Sequence, residues 1–319
     1  MKITFVSNNK RINGPEIWRK YLMEELSRRH SVKLISSYNP FIILREIINS
    51  DVIHTYNNGV LTIISLIVAK FLRKRIIHTI HGDYYTEQKN KKGIKKIFWL
   101  PFSKLCNFFA EKITFVSKFL YKKIIVKEPY IKDKSFIIYN GIDISQIKKK
   151  KSLNKKMLGL KKSDKLLIQI GNFNIIQKTK SLDFLIKDFN KINKKKNFYL
   201  FILGEGKYWK DYKKKYETAN IKFIGFKNNA ISYIKASDIF VHYSLLDTFP
   251  MPIIEALACN KPIIAWGCPV FKEILGYTNR IFKILDENYL IKIKRIGRKL
   301  MQKYSLKRIS QQFEYLYKK

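Results

Sequence analysis

The chain has 319 residues, with 64 Lys and Arg against 24 Asp and Glu, and a formal net charge of +40. Its hydrophobic fraction of 46% supports real cores, which excludes a disordered chain despite the charge. No apolar run reaches the ~18 residues that span a bilayer, and the three scattered cysteines (Cys106, Cys259, Cys268) form neither a disulfide framework nor a metal cluster, which fits a reducing cytoplasm.

The start, MKITFVSNNK, is too short in apolar residues for a signal peptide and reads as a first strand. Short β-branched runs follow at residues 32–36, 51–55, 75–80, 112–117 and 136–139, and again at 165–170, 198–203, 221–224, 238–242 and 262–265. Helical periods lie between them, as at 16–29 and 181–190. Strands apolar on both faces, alternating with helices, predict two βαβ domains in tandem, each with a parallel sheet covered on both sides. Lysines crowd residues 148–162 after the Asn140-Gly141 turn signal, which predicts a solvated linker at 148–163. The expected domains are therefore 1–147 and 164–302. A last helical segment at 303–319 carries Leu306, Ile309, Phe313 and Leu316 on one stripe and must pack on something already built.

The charge invites two polyanions. Nucleic acid is disfavoured, because the chain is rich in Lys and poor in Arg and has no zinc spacing and no stacking motif. An anionic membrane surface is the other candidate partner. Residues 89–112 interleave Lys91, Lys92, Lys95, Lys96 and Lys104 with Phe98, Trp99, Phe102, Leu105 and Phe108, with Pro101 interrupting the helix. That pattern suits an interfacial helix and an ordinary sheet-covering helix equally.

Ligands of open α/β sheets bind beyond the carboxyl ends of the strands, where helix N-termini point. Gly14 follows the first strand, Gly171-Asn172 the first strand of the second domain, and Gly204-Glu205-Gly206 the next. His81 ends a strand and precedes Gly82-Asp83. Asp247-Thr248-Phe249-Pro250-Met251-Pro252-Ile253-Ile254-Glu255 sets two carboxylates eight residues apart in a chain short of acid. Glu255 serves either the helix dipole or a ribose diol, and Asp247 could accept from sugar hydroxyls.

These residues, in order, resemble the glycosyltransferase family 4 branch of the GT-B glycosyltransferases. Asn13-Gly14-Pro15-Glu16 is similar to its Gly-Gly-Ala-Glu loop, His81-Gly82-Asp83 to its strand-end His motif, Tyr139-Asn140-Gly141-Ile142-Asp143 to its Pro-Asn-Gly-Ile-Asp, and Asp247…Glu255 to its Glu-x7-Glu pair. The resemblance implies a GT-B fold of two Rossmann-like domains facing each other across a cleft, with the last helix crossing back to the first. It implies a retaining, metal-independent transfer from a nucleotide-sugar donor to a glycan or lipid-linked acceptor, in cell-surface polysaccharide or lipopolysaccharide biosynthesis, with no cofactor. His81 and Asp247 then carry catalysis, and Gly14, Asn172, Lys180, Gly204, Phe249, Pro250, Met251 and Glu255 hold the donor. Asn172 stands where the family commonly has Arg, so Lys180, or Lys178, is left to neutralise the diphosphate. Asn260 replaces a turn Gly and must tolerate a left-handed conformation. The expected location is the cytoplasm or the inner face of the cell membrane. The competing reading is a catalytically inactive GT-B paralogue that binds membranes or polyanions.

Overall fold

The computed structural model describes residues 1–7, 14–89, 93–193, 197–281 and 286–319. The first half runs β1 (Lys2–Val6), α1 (Gly14–Leu26), β2 (Ser31–Ile35), α2 (Pro40–Ile48), β3 (Val52–Thr55), α3 (Val60–Phe71), β4 (Arg75–Ile80), α4 (Tyr84–Lys89), α5 (Ile94–Phe109), β5 (Lys112–Phe115), α6 (Lys118–Ile125) and β6 (Ser135–Ile137). The second runs α7 (Ile144–Lys149), β7 (Lys165–Asn172), α8 (Ile176–Thr179), α9 (Ser181–Ile192), β8 (Phe198–Glu205), α10 (Trp209–Tyr216), β9 (Ile221–Gly225) and α11 (Ala230–Ala236). It continues with β10 (Ile239–Ser244), α12 (Met251–Ala258), β11 (Ile263–Gly267), α13 (Val270–Leu275), α14 (Glu287–Leu300) and α15 (Leu306–Lys318).

Two compact units result: Met1–Ile142 with Leu306–Lys319, and Asp143–Ser305. The first holds a six-stranded sheet in the order β2-β1-β3-β4-β5-β6, and the second a five-stranded sheet in the order β11-β10-β7-β8-β9. The pairings are parallel, so each strand must be reached by a crossover. In the first unit β1 heads one way to β2, and the chain then returns past β1 to β3. Right-handed crossovers therefore put α1 on one face of the sheet and α2, α3 and α5 on the other. The contacts agree: α1 packs with α15, and α3 packs with both α2 and α5.

The helices begin where local chemistry starts them. Asn39 accepts from the amides of Phe41 and Ile42 ahead of Pro40, Ser117 accepts from Leu120, and Asp143 accepts from Ser145 and Gln146. The first core joins Ile3, Phe5, Trp18, Leu22 and Ile77 to Ile309, Phe313 and Tyr317 of α15. Each such large side chain contributes roughly 1.5–3 kcal/mol by leaving water. His54 lies inside this core, with Nδ1 2.6 Å from the Tyr317 hydroxyl and Nε2 2.7 Å from that of Thr79. Leu167, Phe189, Leu200, Ile202 and Val241 centre the second core.

The lysine-rich stretch expected as a linker is built into the second unit instead. Lys155 Nζ lies 2.7 Å from the Asp238 carboxylate and donates to the Asp164 carbonyl, and Lys235 reaches back to the Lys148 and Lys150 carbonyls. Lys155 is thus drawn to fixed acceptors through its long stem, while the lysines at 148–151, 156, 161 and 162 are exposed, as a solvated stretch requires. Asn260 stands at φ +55°, in the left-handed region.

Candidate active site

The rim of the second sheet gathers the loops after β7, β8 and β10. β7 and β8 run so close that a Cβ on Gly204, at φ +130°, would stand 1.9 Å from the Gly171 carbonyl oxygen. Packing alone therefore demands glycine at 204. Asn172 is exposed, and its side-chain oxygen accepts from the Asn174 amide at 2.9 Å, closing its own turn. Ser181, at the start of α9, donates to the Tyr243 carbonyl at the end of β10 at 2.8 Å, which pins the β7 and β10 loops together.

Between those loops sits an ion cluster. Lys178 Nζ is 2.5 Å from Asp247 Oδ1, and His242 Nε2 is 3.1 Å from Asp247 Oδ2. Burial opposes the charge on Asp247, but Lys178 and then His242 hold its carboxyl well below the usual carboxylate range. For His242 to donate to Asp247 the proton must be on Nε2. The Cys268 thiol bonds the Asp247 carbonyl at 3.1 Å and fixes the loop further.

Glu255, on the following helix, is in the opposite condition. It is half-buried and bonded to no side chain among the described residues, and burial alone pushes its carboxyl up to about 7. A carboxylate left uncompensated at a rim favours any ligand that brings hydrogen-bond donors to it.

The first unit offers a second rim. Glu16, in the first turn of α1, is buried and accepts from Ser7 Oγ at 2.7 Å, Tyr56 OH at 2.9 Å, Arg19 Nε at 3.0 Å and Asn57 Nδ2 at 3.1 Å. It thereby ties the ends of β1 and β3 to α1. His81, just past β4, lies edge-on to Trp18 with ring centroids 4.5 Å apart. Burial, and secondarily His78, lower its imidazole to about 3, so it is neutral at physiological pH. His78 is also neutral, at about 4 through burial, and bonds Thr55 at 2.7 Å. A Cβ on Gly14 would meet open space, so nothing among the described residues requires glycine there. Among the described residues no three His, Cys, Asp or Glu side chains group as metal ligands would.

The family described as "Glycosyltransferase Family 4" matches residues 12–146, and the one described as "Glycosyl transferases group 1" matches residues 150–307. The capsular polysaccharide biosynthesis glycosyltransferase CapH of Staphylococcus aureus is 30% identical over 257 residues, covering 77% of this chain and 68% of that protein. The chain belongs to glycosyltransferase family 4. Another relative of this glycosyltransferase is the Escherichia coli UDP-Gal:alpha-D-GlcNAc-diphosphoundecaprenol alpha-1,3-galactosyltransferase, 27% identical over 81% of this chain and 70% of that one. Among solved structures, Anabaena HepE in complex with UDP and glucose aligns with a TM-score of 0.77 at 17% identity over 99% of both chains. WaaG, a glycosyltransferase involved in lipopolysaccharide biosynthesis, aligns with a TM-score of 0.70 at 12% identity over 99% of both. The enzyme has the GT-B fold.

Within this glycosyltransferase, Asn172 and Asp247 share one rim, and Glu255 follows on α12. Gly14 and His81 belong to the other unit. Lys180, expected to carry the phosphate charge, is exposed and makes no ion pair among the described residues, while Lys178 sits on Asp247. Phe249, Pro250 and Met251 are buried, and Phe249 packs edge-on to Tyr304 with centroids 5.9 Å apart, so these side chains are held within the second unit. Sequence reasoning passed over His242 and named Glu16 only as the last residue of the motif at residues 13–16, with no role. Each carried a legible sign: a strand-end His five residues before a rim acid, and an acid in the first turn of the first helix.

Proposed function

We propose that this glycosyltransferase transfers a sugar, with retention, from a uridine diphosphate sugar to a lipid-linked or glycan acceptor of cell-surface polysaccharide assembly. The observation that carries the reading is Glu255, a rim carboxylate without a partner that a ribose diol would satisfy with two donors. The printed activities of the relatives support the donor and acceptor classes: one uses UDP-Gal and a diphosphoundecaprenol-linked sugar, and HepE is solved with UDP. The "alpha" in the galactosyltransferase's name supports retention, since sugar nucleotides of this class carry an alpha-linked phosphate.

In this reading Lys178 supplies the charge that the leaving diphosphate needs, exchanging part of its hold on Asp247 for a phosphate oxygen, with no divalent ion required. Asp247, anchored by His242, keeps lone pairs for sugar hydroxyls. His81, neutral, exchanges a hydrogen bond with a substrate hydroxyl and is not a nucleophile. Gly14 lets a ligand approach the start of α1. In the transfer, the bond from the anomeric carbon to the phosphate oxygen breaks and the bond to the acceptor oxygen forms on the same face. The acceptor proton passes to the departing phosphate. Incubation with a panel of UDP-sugars, followed by proton NMR of the released or transferred sugar, tests this. An alpha product from at least one alpha donor is expected; an initial beta product, or no turnover with any donor, overturns it.

A further inference from the structure

The outer face of α3 is the wrong way round for a helix at a protein–water boundary. Its sheet side buries Leu61 and Leu66 but also Thr62 and Ser65. Its outward stripe, at helical spacing, is Val60, Ile64, Ile67 and Phe71, with Phe71 87% exposed. The neighbouring helices repeat the pattern. On α2, Phe41, Leu44 and Ile48 stand out at intervals of three and four, with Phe41 81% exposed, and on α5 Ile97, Leu105 and Phe108 do the same. Because α3 packs against both, three outward apolar stripes lie side by side on one face of the first unit. Single exposed apolar residues are ordinary; a contiguous set of this kind marks an interface.

Charge decides what covers it. The three helices carry one acidic residue, Glu46, which is buried and already bonded by Lys33 and Arg45. Arg45, Lys70, Lys96 and Lys104 stand exposed among the apolar stripes. Two copies of a chain of net charge +40 meeting through this face would set like charges together. An anionic bilayer instead takes the aromatic and aliphatic side chains below its headgroups and the ammonium and guanidinium groups at their level. We propose that the face formed by α2, α3 and α5 is the surface by which the enzyme lies on an anionic membrane. The inference deepens, and rests on, the reading that the acceptor is lipid-linked. It adds which face meets the lipid.

Flotation with vesicles of phosphatidylcholine, alone or mixed with phosphatidylglycerol, reads this directly. Wild-type enzyme binds the mixed vesicles, and more weakly the neutral ones or at high salt. The double substitution Ile67→Asp, Phe71→Asp weakens binding at least about tenfold, and Phe41→Asp, on another helix, weakens it in the same sense. Thermal stability and hydrolysis of the UDP-sugar stay at wild-type values in both, so loss of donor chemistry would count against the proposed function and not against this face. The proposal fails if wild type ignores mixed vesicles, if the variants bind them as wild type does, or if sedimentation shows a wild-type dimer that the substitutions dissolve without any vesicle binding.

Discussion

Glu255 makes a prediction in which stability and function move in opposite directions. Its carboxyl is held at about 7 against an ordinary 4.5, by burial with no partner. The unfolded chain releases this proton near pH 4.5, while the folded chain keeps it until about 7. Over that window the folded state binds more protons, so stability falls as pH rises and levels off above about 7. The full gap corresponds to about 3 kcal/mol; because the group is only half-buried, about 1–2 kcal/mol is the expected size. Glu255→Gln keeps the shape and removes the charge. Urea denaturation should find the variant more stable than wild type by that amount at about pH 8 and equal to it at about pH 4. Parallel stability curves for the two proteins would refute the reasoning. The cost is functional. Ribose hydroxyls favour the ionised carboxylate, so UDP binding by wild type near neutral pH should release a proton, visible as buffer-dependent heat in titration calorimetry. In the variant that release should vanish and affinity should drop about tenfold.

The remaining expectations concern neighbouring residues. Lys178→Met should weaken UDP binding at least about tenfold and cost about 1–3 kcal/mol of folding stability, because Asp247 keeps only His242, while Lys180→Met should leave both near wild type; the reverse pattern in calorimetry would return the role to Lys180. His81→Ala should lower kcat about 10–100-fold. Because the His81 imidazole lies at about 3, the wild-type kcat/KM profile should show no His81 titration in the neutral range, and an apparent pKa near 6.5 that His81→Asn abolishes would contradict its neutral state. Gly204→Ala should destabilise by more than about 2 kcal/mol in thermal melts, since its Cβ would lie 1.9 Å from the Gly171 oxygen; a melting point within a degree or so of wild type would show that the β7–β8 rim gives way.

The strand ends that carry the site were legible because runs such as Ile3–Val6 and Leu166–Ile170 are apolar but for Thr4 and Gln169 and stop abruptly at polar or glycine residues. Scarcity of acid made Asp247 and Glu255 stand out. The choice between Lys178 and Lys180 was not legible: they flank the end of the four-residue α8, too short for a period to set its phase, and only the fold turns Lys178 to Asp247. The packing of Phe249 was not legible for a related reason. Its partner Tyr304 is a distant residue, and an aromatic beside a rim acid looks the same whether it faces a ligand or a core. Lys155 shows the limit of composition, since a lysine counts as solvated in sequence but can be pinned by one carboxylate such as Asp238. The outward stripe of α3 was visible only as a long apolar run; which of its residues face out depends on the sheet beneath.

Amide hydrogen exchange with and without UDP bears most directly on where the donor sits. Slowed exchange concentrated in residues 171–180 and 244–258 is the expected result, since those two loops hold Lys178, Asp247 and Glu255. Slowed exchange elsewhere in the chain with these segments unchanged, or none anywhere at saturating nucleotide, would contradict the assignment of this rim to the nucleoside diphosphate.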